Sequence, residues 1–179
     1  MVNEHKKQIR KHIREIKSKI SLAEKQLRSE KIFRKLENNT FFQKADCVMV
    51  YWSMEDEVQT QDFILKYAVK KEIILPSVQN EELVLRKFEG LESLKTGVKY
   101  GIQEPEGEDF IDFGKIDLVI VPGIAFDNEN NRMGRGKAYY DGLLPKLNAY
   151  KIGVCFDFQL IDAVPTDEHD VKMNEIITD

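Results

Sequence analysis

The stretch IDLVIVPGIAFDNENNRMGRGKAYYDGLL, residues 116–144, decides how the chain is read. It opens on an apolar run, Leu118 to Val121, of the length expected for a buried strand, and turns at Pro122-Gly123. A polar loop, a basic glycine-rich turn and a helical segment follow. A strand that runs out into a loop and returns as a helix is the repeating unit of α/β sheets, and such sheets bind ligands beyond the carboxyl ends of their strands. Gly134 and Gly136 let the backbone approach phosphate oxygens, Arg132, Arg135 and Lys137 bring positive charge, and a helix start offers unpaired N–H groups. Those are the parts of a polyphosphate cradle. The general phosphate motifs nevertheless fail, because the P-loop needs glycine where Asn131 stands and Ser or Thr at Ala138, while the dinucleotide fingerprint needs glycine at Tyr139. Composition alone is equally compatible with a solvated basic loop.

Further strands are expected upstream and downstream, at Cys47 to Trp52, Ile73 to Leu75, Leu83 to Phe88 and Ile152 to Phe156, each a short apolar run bounded by polar residues. Between the first two, Thr60 can cap a helix through Phe63, Ile64, Tyr67 and Ala68, giving a strand-helix-strand unit. Ala138 to Leu147 reads as another crossover helix that Pro145 shortens or kinks. At the amino end, Ile9, Ile13, Ile16 and Ile20 recur at helical spacing among charged residues, which predicts an amphipathic helix with a basic outer face. Ser21 and Glu24 have capping-box spacing, so a second helix through about Leu36 is expected. The economical fold is a single α/β domain over residues 1–179, with a mostly parallel sheet flanked by helices and an N-terminal helical segment.

The 179 residues are 42% hydrophobic and 32% charged, enough for one compact core. A net charge of −4 argues against a surface committed to nucleic acid or an anionic membrane. The two cysteines, Cys47 and Cys155, lie in apolar runs and read as buried strand residues; nothing calls for a disulfide. The first residues lack the apolar core of a signal peptide, and no apolar run is long enough to span a bilayer, so the cytoplasm is the expected compartment. Asp112-Phe113-Gly114 spells a kinase triplet without the other kinase motifs, and is read as a turn.

The segments PGIAFD (122–127) and RMGRGKAYYD (132–141) resemble the hallmark of the 5-formyltetrahydrofolate cyclo-ligase family. So do KKQIR near the start, YWSMEDEVQT (51–60), KEIILP (71–76), GIQEP (101–105) and DEHDVKMNEIIT (167–178), in the same order. Three positions depart from the family pattern: Met133 replaces Leu, Ala138 stands where glycine is usual, and Asn174 where acidic residues are frequent. Since alanine holds positive φ poorly, the turn at Ala138 is expected to be helical or slightly reshaped.

The resemblance implies a NagB/RpiA/CoA transferase-like fold and an ATP- and Mg2+-dependent cyclisation of 5-formyltetrahydrofolate to 5,10-methenyltetrahydrofolate through a phosphorylated formyl intermediate, with release of ADP and phosphate. It implies ATP binding by Lys6, Lys7, Arg10 and the run Arg132, Met133, Gly134, Arg135, Gly136, Lys137, Ala138, Tyr139 and Tyr140. Arg135, Lys137 and Tyr140 would be catalytic. Trp52, Glu57 and Tyr140 would bind folate, and Asp141 and Asp170 magnesium. Read without it, Asp141 is equally a first-turn helix carboxylate, Asp170 a turn residue and Trp52 a core residue. The other lysines of the first helix, Glu55, Asp56, His5 and His12 are expected in solvent, and His169 in a structural role. A monomer is expected, acting on free or polyglutamylated folate.

Overall fold

The computed structural model of the chain describes residues 2–98 and 101–179. Helix α1 (Val2–Ser18) leads into α2 (Leu22–Glu37), where the Ser21 hydroxyl accepts from Glu24 N at 3.1 Å. Only half of the expected capping box forms, because the Glu24 carboxylate turns to Arg28 at 3.2 Å instead. A short α3 (Thr40–Lys44), capped by Asn39, precedes strand β1 (Cys47–Met49). Helix α4 (Gln61–Tyr67) crosses over to β2 (Glu72–Gln79), which turns through Asn80 and Glu81, both at positive φ (45 and 68°), into β3 (Glu82–Lys87). Thr60 starts α4 without capping it. Its hydroxyl donates to Tyr51 O (2.7 Å) and accepts from Ser53 N (3.0 Å), so it pins the loop after β1 rather than the helix.

A two-stranded ribbon, β4 (Leu94–Thr96) and β5 (Gln103–Pro105), follows. The motif at 101–105 is thus partly a strand, and it ties back to β2 through Glu104, which accepts from Ser77 Oγ and Val78 N. Then come β6 (Leu118–Val121), a small hairpin of β7 (Ala125–Phe126) and β8 (Arg132–Met133), α5 (Tyr139–Leu143), β9 (Tyr150–Cys155) and β10 (Glu175–Thr178). Pro145 lies in a 3-10 turn immediately after α5, which shortens that helix as expected.

The main sheet has the order β10-β9-β6-β1-β2-β3, parallel except for the β2–β3 hairpin. Both faces are covered, and the strands divide their residues between them. Val48, Leu118, Ile120, Ile152 and Val154 meet Ile32, Phe33 and Leu36 of α2 and Phe63 and Ile64 of α4, whereas Cys47, Met49, Val119, Val121 and Cys155 meet Phe126, Leu143 and Leu147. Both cysteines are buried and free. The chain leaves β1 toward β2 and leaves β6 in the opposite direction, toward β9. The crevice outside the carboxyl ends of β1 and β6 is thus the switch point at which a sheet of this kind opens a ligand site.

Candidate active site

Two loops border that crevice, residues 50–60 after β1 and 122–138 after β6, and α1 closes over the second. Ile13 is buried against Ile124, Ala125, Met133 and Val164, so the helix docks directly on the β7–β8 hairpin. Docking through Ile13 turns Lys6, Arg10 and Lys17 inward, because residues at steps of four, three and four share one helix face. Lys7, at the edge of that face, is 73% exposed and 3.7 Å from Glu4. His5 and His12 are exposed as expected; His169, expected in a structural role, is exposed as well, its ring 3.5 Å from the exposed Glu168.

The hairpin owes its shape to Asp127. Its buried carboxylate accepts from Glu129 N, Asn131 N, Asn131 Nδ2 and Val164 N at 2.8–3.0 Å. Burial opposes ionisation here, but these donors outweigh it and hold the acid below its ordinary value. Downstream, Arg132 is buried. It donates to Asp141 Oδ1 (2.6 Å) and Pro122 O (3.2 Å) and lies 5.4 Å from the centre of the Tyr140 ring. Met133 is buried in the small core under α1. Arg10 donates to Gly134 O at 3.0 Å and covers Gly136, whose φ of +93° and 3.3 Å clearance to the guanidinium leave little room for a side chain. Lys137 is exposed.

Ala138 is at φ 56°, ψ 15°, so the turn is not right-handed helical there: alanine holds the left-handed conformation that glycine would take freely. Such a residue carries strain of about 1–2 kcal/mol, offset by the surrounding contacts. Ala138→Gly is expected to raise stability by about 1 kcal/mol in urea unfolding, the relieved strain less the added freedom of the unfolded chain. No gain would mean that the turn relaxes in the folded protein.

Arg135 reaches across the crevice to the loop after β1, donating to Asp56 Oδ1 (2.6 Å) and to Glu57 Oε1 (3.1 and 3.2 Å). Burial weighs against its charge, yet Glu57 and Asp56 hold its pKa above the usual value. Asp56, expected in solvent, is instead part of this bridge. Its acidity is likewise increased, the Arg135 bond outweighing the effect of burial. Glu57 is anchored by Met54 N at 2.9 Å. Trp52 is half-buried with its ring 6.0 Å from Phe88, at the edge of the core and beside the crevice loop.

At the other rim Lys6 Nζ bridges Asp167 (3.1 Å) and Asp170 (3.2 Å). Partial burial disfavours its charge, but the two carboxylates raise its pKa. Among the described residues no group of three His, Cys, Asp or Glu side chains converges, and Asp141 and Asp170 each meet a cation. Separate carboxylates of this kind suit a magnesium ion that keeps waters and takes its remaining ligands from phosphate.

Among the described residues, three buried side-chain polar atoms lack a hydrogen-bond partner: Lys17 Nζ, Arg132 Nε and the Tyr140 hydroxyl. All three belong to elements bordering this crevice. Burial, with Glu57 nearby, also keeps the Tyr140 hydroxyl protonated. Unsatisfied buried donors are rare in folded proteins, so each of the three calls for an explanation. Lys17 was not singled out in the sequence, although its helical step from Arg10 and Ile13 is the signal that finds it. The surface hollow between α2 and α4, lined by Gln26, Glu30, Phe33 and Asp62 among others, contains none of these groups.

The sequence profile of the 5-formyltetrahydrofolate cyclo-ligase family matches residues 2–179. The chain belongs to that family. A 5-formyltetrahydrofolate cyclo-ligase of Mus musculus is 30% identical, with 98% of this chain and 94% of the relative aligned. A probable 5-formyltetrahydrofolate cyclo-ligase of Caenorhabditis elegans is 28% identical over 98% and 93%. The solved structure of Aquifex aeolicus 5,10-methenyltetrahydrofolate synthetase superposes with a TM-score of 0.86 at 33% identity, covering 97% of this chain and 89% of the other. That of the Mycoplasma pneumoniae synthetase gives 0.78 at 26%, over 97% and 98%. Against the usual cyclo-ligase pattern, Asn174 keeps a structural role, its side-chain oxygen accepting from Lys151 N at 2.8 Å.

Proposed function

We propose that this cyclo-ligase family member converts 5-formyltetrahydrofolate to 5,10-methenyltetrahydrofolate while cleaving ATP to ADP and phosphate. The reading is carried by one observation: a crevice at the sheet's switch point bordered by Lys6, Arg10, Arg135 and Lys137, on elements that also carry three buried polar atoms without a partner among the described residues, in a chain of this family.

The formamide of the substrate is a poor electrophile, and the reaction activates it. The formyl oxygen attacks the γ-phosphorus and ADP departs, leaving a phosphorylated formyl group. Nitrogen ten then attacks the formyl carbon and gives up its proton, the carbon–oxygen bond breaks, and phosphate leaves with the electron pair as the ring closes. Charge neutralisation and positioning dominate such a sequence.

Arg135 and Lys137 would offset charge on the transferring phosphoryl group, and the Tyr140 hydroxyl would donate a hydrogen bond to it. Lys6, Arg10 and the turn from Arg132 through Met133, Gly134, Gly136, Ala138 and Tyr139 would hold the remaining phosphates. Glu57 would accept from the amino and ring N–H groups of the pterin, beside the flat faces of Trp52 and Tyr140. Lys7, exposed on α1, would act only as part of the positive field. Asp141 and Asp170 would hold Mg2+, which would supply positive charge to offset that of the phosphates. We extend the reading to one cyclo-ligase domain over 1–179, a cytoplasmic monomer that also accepts polyglutamylated folate and needs neither nucleic acid nor membrane. Among the described residues no helix is long and apolar enough to cross a membrane.

The test is spectrophotometric. Purified protein with 5-formyltetrahydrofolate, ATP and Mg2+ is expected to form the ultraviolet-absorbing methenyl product, with no product when ATP is omitted or the metal chelated. A folded protein that forms none under these conditions overturns the proposal.

A further inference from the structure

The Arg135 bridge poses a problem for the chemistry. With both Asp56 and Glu57 held, its charge is committed to the folate side of the crevice, and it must release at least one carboxylate to face the phosphoryl group. Release would leave Asp56, 38% exposed at its side chain, without its closest cation while a phosphate anion arrives. The neighbouring cation is Lys17. It is 3% exposed, its ammonium has no hydrogen-bond partner among the described residues, and it stands 3.9 Å from Asp56 Oδ2, the oxygen that Arg135 does not use. If packing were the only requirement, an apolar side chain would fill this position without burying a charge.

We propose that Lys17 is a positioning residue for phosphoryl transfer, taking over the Asp56 carboxylate when Arg135 leaves it for the phosphate. Lys17 and Asp56 need to close by about 1 Å to reach hydrogen-bond distance, within the range of a flexible four-carbon stem. The exchange keeps a cation on Asp56 throughout. Lys17 and Arg135 balance Asp56 and Glu57 before the ligand binds, and Lys17 remains with the carboxylates while Arg135 joins the anion. Burial lowers the Lys17 pKa, Asp56 and Glu57 oppose that, and Arg135 and Lys25 add to it, so withdrawal of Arg135 itself strengthens the lysine's charge. The inference rests on the proposed role of Arg135 in the cyclo-ligase reaction.

The experiment compares wild type, Lys17→Met, Asp56→Asn and the double variant, with rates measured against ATP and folate separately and thermal unfolding recorded for each. Lys17→Met is expected to lower kcat about tenfold, the worth of one hydrogen bond to a charged group, with KM for folate unchanged and no loss of thermal stability. In the Asp56→Asn background the same substitution should cost nothing further, since no carboxylate remains to receive. Lys17→Arg, which keeps the charge, should recover part of the rate and stands in if the methionine variant does not fold. Full activity in Lys17→Met, or an equal loss with and without Asp56, overturns the inference. A wild-type protein without turnover, or an Arg135→Ala variant as active as wild type, instead overturns the reading beneath it.

Discussion

Replacing Arg135 by alanine is expected to lower turnover by about 10²–10³-fold, the usual cost of removing a donor aimed at developing charge. Folate affinity should change far less, because Glu57 keeps its anchor on Met54 N after the guanidinium is gone. Arg135→Lys should restore only a fraction, since an ammonium cannot reproduce the planar fork that now spans Asp56 and Glu57. Initial rates together with calorimetric titration of 5-formyltetrahydrofolate separate the two effects. Unchanged turnover with weakened folate binding would make Arg135 a folate ligand and return the phosphoryl role to Lys137.

The second large effect concerns stability. Asp127→Ala removes the single acceptor shared by Glu129 N, both Asn131 donors and Val164 N, and leaves the Asn131 and Val164 groups buried without that partner. A loss of roughly 3–5 kcal/mol in urea unfolding at neutral pH is expected, from about 1–3 kcal/mol for each stranded buried donor, partly recovered by water. The loss also has a pH signature. The folded pKa of Asp127 lies below its ordinary value of 3.8, so its contribution is complete above that value and disappears as pH falls through the folded pKa. The gap between wild type and variant should therefore narrow as pH falls below 3.8 and be widest at neutral pH. A difference below about 1 kcal/mol at neutral pH would mean that the loop is replaceable by solvent. Because Val164 opens the segment carrying Asp167 and Asp170, the same substitution should loosen the Lys6 bridge and reduce activity as well.

Local pattern carried much of the fold. Apolar runs announced β1, β2, β3, β6 and β9 within a few residues, since a short stretch of Val, Ile and Leu is buried whichever neighbour covers it. Ser21 marked the start of α2, and Pro145 the end of α5, because caps and proline act through the backbone beside them. The glycines and arginines of 132–141 identified the loop on which the site is built. The strand β10 escaped notice: its four residues pair in parallel with β9, and so short a strand depends on the partner rather than on its own sequence.

What charged residues do was decided only in three dimensions. Arg132, Asp127 and Lys17 are each buried, although their residue types predict solvent, and each meets a different element of the fold: Arg132 the Pro122 carbonyl and the Asp141 side chain, Asp127 the Val164 segment, and Lys17 the loop after β1. Asp56 looks like a surface residue until Arg135 crosses the crevice to meet it. By itself the sequence determined five of the sheet's strands, the helix between the first two and the family's phosphate-type turn, because hydrophobic burial and backbone capping are properties of neighbouring residues. Tertiary structure alone decided which ions meet, and that Ala138 would keep a glycine's conformation. Pairing and strain are set by what the rest of the chain packs against a residue, and no local pattern records it.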